Sequence, residues 1–409
     1  MRLDSRLVSL DVIRGLAVLM ILVANVSAFA HPDLAYYWPP ALPGGANDGD
    51  ALVWLVQFVT VDGKFRGLFT ILFGASMLLF LDKFENEARG VLMQGRRLFW
   101  LLLFGLAHFF LLFRGDILFS YAVAGAVALL FVRMSGDRLL ALGLIWAAIG
   151  GILSSLDYLT PALIEAGSEP AVAGAIAYYR DYWAEQLLEA QLQQALIGNG
   201  SYWHILSYHW QSGGGLLSSY VIYCFFETIP LVLMGMGLFR LGVFSAPDDG
   251  EPWSRLAIAG VAASLLLNLA MGLYVMRAGF PPYQTQLVFF GLTGVTNLPF
   301  LLGAPVLLSQ WAWTARDGWL AQRLASAGRM AFTNYICTSL VMVLVFQGWA
   351  GGLFGQLHRV EMLVAVGLGW ALMITCSRMW LARFRQGPLE WLWRCLSYRR
   401  LFPNRQKRV

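Results

Sequence analysis

The sequence predicts an all-α fold: a polytopic transmembrane helical bundle of about ten helices, with both ends of the chain in the cytoplasm. Three observations carry that expectation. Of the 409 residues, 58% are hydrophobic and 13% charged, and mean hydropathy is +0.61, so polar surface is too scarce to clothe a water-soluble globule of this size. The apolar runs are unbroken, which suits helices, whereas barrel strands would alternate. Lys and Arg gather in alternate connections, which fixes orientation.

Crossing about 30 Å of hydrocarbon takes roughly 20 mainly apolar residues. The stretches expected to cross are 12–30, 65–81, 98–113, 117–132, 139–156, 216–238, 256–276, 287–308, 331–346 and 362–381. With the N-terminus inside, about 23 of the 29 Lys and Arg fall on cytoplasmic segments and about 6 outside. Ten crossings return the chain to the cytoplasm, where the basic tail 383–409 belongs. Topology and contact with anionic membrane lipids account for that charge, so no nucleic-acid partner is expected.

No linker, low-complexity tract or fixed-period repeat divides the chain, so 1–409 reads as a single transmembrane domain. Its longest non-membrane stretch, the extracytoplasmic loop region 157–215, contains a section, 171–196, of helical composition suited to lying along the membrane surface. A shorter surface piece, 51–61, is too short to span. Pro230 and Pro305 fall inside spans and predict bends. Cys224, Cys337, Cys376 and Cys395 show no CxxC spacing, and His204 and His209 fall on different helix faces, so neither disulfide nor metal site is expected. Ala28-Phe29-Ala30 resembles a signal-peptidase site, but Asp11 and Arg14 at the mouth of the preceding run argue for a retained span.

Ionisable groups at membrane depth cost a few kcal/mol each, so they usually face the bundle interior. Asp11 and Arg14, three apart, share a helix face, and Asn25, almost three turns on, extends that stripe by about 16 Å. The bland alternative is a snorkelling Arg paired for positioning, with Asn25 in a helix–helix hydrogen bond. Asp62, Lys64 and Arg66 form an interfacial charge group that also suits a plain helix end. Arg96 and Arg97 open a hairpin in which His108 precedes a tip at Arg114-Gly115-Asp116, with Asp116 able to reach back to the imidazole. A carboxylate there fixes the ring's tautomer and favours proton acceptance, the requirement for a general base. Glu227 needs a partner at depth, and Arg329 or Asn334 on another helix is expected to supply it.

These blocks resemble, in order, the YeiB-like family of bacterial membrane proteins, the domain of unknown function 418. The matching residues run from Leu10–Gly15 and Asn25 through Lys64–Gly74, His108 to Asp116 with Tyr121, Glu227–Gly242, and Gly328–Tyr335 with Ser339, to Gly387-Pro388-Leu389-Glu390-Trp391-Leu392-Trp393-Arg394. Together they cover nearly the whole chain. The resemblance implies a multi-pass protein of the bacterial inner membrane and a relation to transmembrane acyltransferases such as the lysosomal heparan-α-glucosaminide N-acetyltransferase. Such enzymes carry an acyl group from cytosolic acyl-CoA to an acceptor on the far side. In that enzyme the catalytic His follows the first-span Asn by eleven residues, where this chain has Tyr36, and His31 is the nearest histidine.

The combined expectation is an acyltransferase with acetyl-CoA as donor and a glycan or lipid-like acceptor. Asp11, Arg14, Arg96 and Arg97 would hold the coenzyme A phosphates. His108, oriented by Asp116, would act as base, with Asn25 or Lys64 at the oxyanion. His31, Arg114, Tyr121, Glu227, Arg329 and Asn334 would line the acceptor site. The alternative is a transporter for a small or amphipathic solute, because membrane-depth Glu227 and bent helices also describe a translocation path. A lipid-binding protein without chemistry is the third reading. Assembly stays open, a homodimer included.

Overall fold

In lipid the backbone finds no outside partner, so each apolar run closes its hydrogen bonds within itself as a helix. A computed structural model describes residues 2–167, 173–245 and 253–406, with side chains from residue 8 onward. Ala171 and Val172 of the expected surface helix and Lys407 and Arg408 of the tail lie outside the described residues.

Helix α1 (Arg2–Ala30) leads to the short α2 (Asp33–Tyr37), then α3 (Asp48–Thr60) and α4 (Lys64–Leu81) return. A hairpin of α5 (Glu87–Leu111) and α6 (Leu118–Ala128) follows, then α7 (Gly136–Glu165) and α8 (Ala173–Asn199). One long run holds α9 (Tyr202–Tyr223), a π-helical turn Cys224–Thr228, and α10 (Ile229–Arg240). After α11 (Trp253–Arg277) come α12 (Pro282–Gln286), a π-helical stretch Leu287–Leu292, α13 (Thr293–Thr296) and α14 (Leu298–Thr314). The chain ends with α15 (Trp319–Arg329), α16 (Ala331–Phe346), α17 (Arg359–Leu381) and α18 (Pro388–Tyr398). We call the end holding the start of α1 and α18 the basic end, and the end holding α2 and α8 the far end.

Among the described residues, seven helices are long and apolar enough to cross a membrane, or nine if each bent pair counts as one span. The expected span 117–132 is a shorter apolar helix, Leu118–Phe131. The expected surface piece 51–61 is corrected: α3 and α4 form one 34-residue apolar run, Asp48–Leu81. A capping box between Asn47 and Asp50 starts it, and fully buried Trp54 and Phe58 stack at 5.1 Å inside the protein. Asp62, Lys64 and Arg66 therefore stand at the break between α3 and α4, inside the apolar run and not at its edge. The loop region 157–215 also shrinks, because α7 continues to Glu165 and α9 begins at Tyr202. The 53° bend lies between Thr296 and Leu298, upstream of Pro305, while Pro230 opens α10 directly after the π-helical turn.

The apolar core divides into three clusters. The first joins α4, α7, α10 and α14, the second α1, α6, α16 and α17, and the third α2, α3 and the far end of α11. Polar groups fill the seam between them. At the basic end, α1 and α15 cross so closely that a Cβ on Gly15 would sit 1.9 Å from the Leu324 carbonyl oxygen, and one on Gly328 would sit 1.8 Å from that of Asp11. Small residues permit this approach, which brings Arg329 within electrostatic reach of Asp11.

Candidate functional site

Three groups of polar side chains lie between the helices, and a fourth borders a cleft at the far end. The first is built on the α5–α6 hairpin. His108 Nδ1 lies 2.8 Å from Asp116 Oδ1, and the other carboxylate oxygen accepts the Phe119 backbone N–H at 2.7 Å. Gly105, three residues before His108, lets the hairpin close: a Cβ there would meet Phe119 N at 2.4 Å and Asp116 Oδ2 at 2.9 Å. Both side chains are buried, and His108 Nε2 has no hydrogen-bond partner among the described residues. Tyr335 of α16 brings its ring to 5.0 Å from the imidazole, while its hydroxyl accepts from Ile117 N and donates to the Gly115 carbonyl. Because Asp116 can only accept when ionised, Nδ1 bears the proton in the neutral ring and Nε2 keeps its lone pair.

The second group surrounds the break between α3 and α4. Asp62 accepts from Gln57 and from the Tyr36 hydroxyl at 3.2 Å, and fully buried Lys64 donates to the Phe58 carbonyl at 3.2 Å. Arg66 pairs with Glu227 at 2.9 Å and lies over the Tyr223 ring at 4.9 Å. The expected partners of Glu227, Arg329 and Asn334, are elsewhere: Arg329 donates to the Arg385 carbonyl, and Asn334 ties the end of α15 to Ser377 of α17. The reason is position, since Glu227 stands in the π-helical turn beside α6 and α7, far along its run from the α15–α16 corner. Arg66 and Glu227 keep 40% and 33% of their side chains accessible. Charged groups in mid-run do not face lipid, so this accessibility marks polar space within the bundle. Tyr121 bridges the first two groups: its hydroxyl meets Thr70 at 3.1 Å, and Arg66, Glu227 and Asp116 are all within electrostatic reach.

At the far end, Arg114 pairs with Asp33 at 2.7 Å, lies over Tyr208 and donates to Ser212. Asp33, Arg114 and Ser212, with Glu189, Gln193 and Ser219, form the polar part of the lining of a cleft of about 290 Å³. A larger groove of about 390 Å³ beside α7 and α11 is almost wholly apolar and holds none of these groups. His31 is buried nearby with Arg359 of α17.

The third group occupies the basic end. Arg14 binds Asp11 at 2.6 Å and Ser76 at 2.9 Å. Arg97 is held between the rings of Phe80 and Trp393, and Trp393 donates to the Arg97 carbonyl. Burial, with Arg97 and Arg394 close by, holds the Lys83 ammonium below its usual value. Arg96 donates to the Met93 sulfur of its own helix. Glu390 docks α18 by accepting from Thr333 N and Oγ1, and burial pushes its carboxyl up.

The structure therefore brings together His108 with Asp116, Asp11 with Arg14, and Tyr121 with the Arg66–Glu227 pair. Asn25 is half-buried on α1, and no hydrogen bond joins it to the imidazole among the described residues. Lys64 lies with Asp62, not beside His108. Sequence reasoning missed Arg359, marked only by a charge at the start of an apolar run, and gave no role to Tyr335 or Trp393, although both fall within the blocks it singled out.

The family described as a protein of unknown function (DUF418) matches residues 238–400. Over nearly the full length, the chain is 30% identical across 410 residues to the uncharacterized protein YeiB of Escherichia coli (strain K12), covering 97% of this chain and 98% of that one. It is 28% identical across 419 residues to the uncharacterized protein YxaH of Bacillus subtilis (strain 168), covering 97% and 95%. No solved structure matches. A relative of that identity aligned end to end, together with the matched segment, shows that this chain belongs to the DUF418 family.

Proposed function

We propose that the protein is a membrane-embedded acyltransferase that moves an acyl group, acetyl in the simplest case, from cytosolic acyl-CoA to a hydroxyl- or amine-bearing acceptor at the far end. The observation that carries this reading is His108, buried against Asp116 with its Nε2 unspent. Nε2 takes the acceptor's proton as the acceptor oxygen or nitrogen attacks the thioester carbonyl. The tetrahedral intermediate then collapses, the C–S bond breaks, and the departing thiolate of coenzyme A recovers the proton. Arg14, Arg97, Lys83 and Arg394 supply positive charge for the phosphates at the basic end, whose excess of Lys and Arg supports a cytoplasmic orientation. The polar far-end cleft suits a glycan or the head of a lipid-like acceptor.

The test uses purified protein in detergent. Calorimetry should register acetyl-CoA binding, and thiol release should follow on adding glycan or lipid acceptors. Absence of both removes the reading. The accessible Arg66–Glu227 pair favours a second reading, transport of a polar solute, which uptake into vesicles without any thioester loss would support.

A further inference from the structure

Ten buried side-chain nitrogen and oxygen atoms among the described residues lack a hydrogen-bond partner, and five of them belong to Ser27, His31 and Arg359. Ser27 and His31 are one turn apart at the end of α1, where the His31 N–H still bonds the Ser27 carbonyl. Arg359 opens α17. Its backbone N–H donates to Asp50 and its Nη2 to the carbonyls of Ala35 and Tyr36, while Nε and Nη1 are unused. The guanidinium is about 1% exposed and takes part in no ion pair among the described residues. Asp50 and Asp62 act on it only from beyond salt-bridge distance.

A fully buried cation with two idle donors is costly unless something accepts from it. Burial first, then the charge of Arg359, push His31 down to about 4, so the ring is neutral at neutral pH and adds no second positive charge beside the guanidinium. The Leu357 carbonyl lies near the ring but not at hydrogen-bond geometry. A neutral imidazole offers one N–H and one acceptor nitrogen. The three side chains thus present a serine hydroxyl and an imidazole from one helix, and a guanidinium edge from another.

We propose that Ser27, His31 and Arg359 form a binding site for a small monocarboxylate of the size of formate or acetate. Two carboxylate oxygens provide about four lone-pair directions, enough to accept from donors on both helices at once, and the single negative charge matches the unpaired guanidinium. Entry is short, because Asp33 and Leu34, two and three residues past His31, line the far-end cleft. The site does not rest on the acyltransferase reading, since a carboxylate transporter would use it equally, and the two stand or fall by separate experiments.

The experiment is thermal unfolding of the full-length protein in detergent at pH 7, titrated with sodium acetate, sodium gluconate or sodium chloride at matched ionic strength and without coenzyme A. A ligand that binds only the folded state raises Tm with the logarithm of its concentration above Kd. Acetate should do so and gluconate should not, and Ser27→Ala and His31→Asn should each move the acetate midpoint about tenfold higher, the loss expected for one hydrogen bond to a charged group. Equal responses to acetate and gluconate, or the same response in wild type and variants, would overturn the site. Chloride matching acetate would overturn the carboxylate assignment. If a variant fails to fold, equilibrium dialysis of labelled acetate against wild-type protein, competed by formate, decides the matter: saturable, formate-sensitive binding is expected, and its absence counts against the proposal.

Discussion

His108 and His358 each meet a carboxylate through Nδ1 at 2.8 Å, Asp116 in one case and Asp50 in the other. Beyond that distance the two pairs differ in every respect that matters for chemistry. His358 is 45% exposed and caps α17, with Glu361 accepting its backbone N–H, while Asp50 also takes the backbone N–H groups of Arg359 and Asn47. These contacts cap α3 and α17 and, through Asp50, join the two helices. The His108 pair is 1% and 0% exposed, holds the hairpin with one carboxylate oxygen, and leaves Nε2 with nothing to bind. A His–carboxylate contact alone therefore does not mark a base. An unspent nitrogen in a dry, fixed site does, because a proton acceptor must be both oriented and available.

The contrast is sharpest in turnover. His108→Gln should lower acyl transfer by about 100- to 10,000-fold, the usual worth of a positioned base, while His358→Gln leaves the rate within about twofold, with thiol release measured on proteins of matched Tm. Equal losses in the two variants would erase the distinction. Gly105→Ala attacks the same pair without touching it, since the new methyl would overlap Phe119 N and Asp116 Oδ2. Its rate should fall toward that of Asp116→Asn, accompanied by a lower Tm, and a wild-type rate would show that the hairpin need not close.

The next effects concern stability at the far end. A histidine whose pKa is lowered in the folded state stabilises fully above its unfolded value and loses that contribution as pH falls. With His31 down at about 4 against an ordinary value of 6.5, unfolding free energy should drop by about 3 kcal/mol between pH 7 and 4 on its account, and His31→Gln should flatten that part of the Tm–pH curve. Asp50→Asn weakens the capping joint and should cost about 1 to 2 kcal/mol with activity retained. Smallest is Glu390→Gln, which keeps one acceptor for Thr333. Its effect should be confined to earlier protease cleavage of α18, about 0.5 kcal/mol or less in global stability.

Membrane character was legible from composition, and the helices from unbroken apolar runs, because lipid permits few other solutions. The His108–Asp116 juxtaposition was legible for a local reason, since a hairpin brings residues eight apart into contact. The misread features depend on tertiary pairing. Which cation meets Glu227 is decided by how α4 and α10 cross, with Gly235 lying against the Ile71 carbonyl, and no spacing along the chain reports that. The 51–61 piece looked too short because a helix does end at the charges 62–66, but α4 resumes at Lys64 and continues the apolar run, with Asp62 and Lys64 absorbed by Gln57, Tyr36 and the Phe58 carbonyl. Ser27 carried no local signal and Arg359 only its place at the start of an apolar run, since nothing along the chain reports which of their donors stay idle.

The central claim, that the buried imidazole on the α5–α6 hairpin receives the acceptor's proton, is tested most directly by reconstituting wild-type and His108→Gln protein into vesicles with labelled acetyl-CoA on the side of the basic end and hydroxyl-bearing acceptors on the other. Labelled acceptor should accumulate opposite the donor in wild type, with next to none in the variant. Label crossing at equal rates in both, or in neither, would contradict that role for His108.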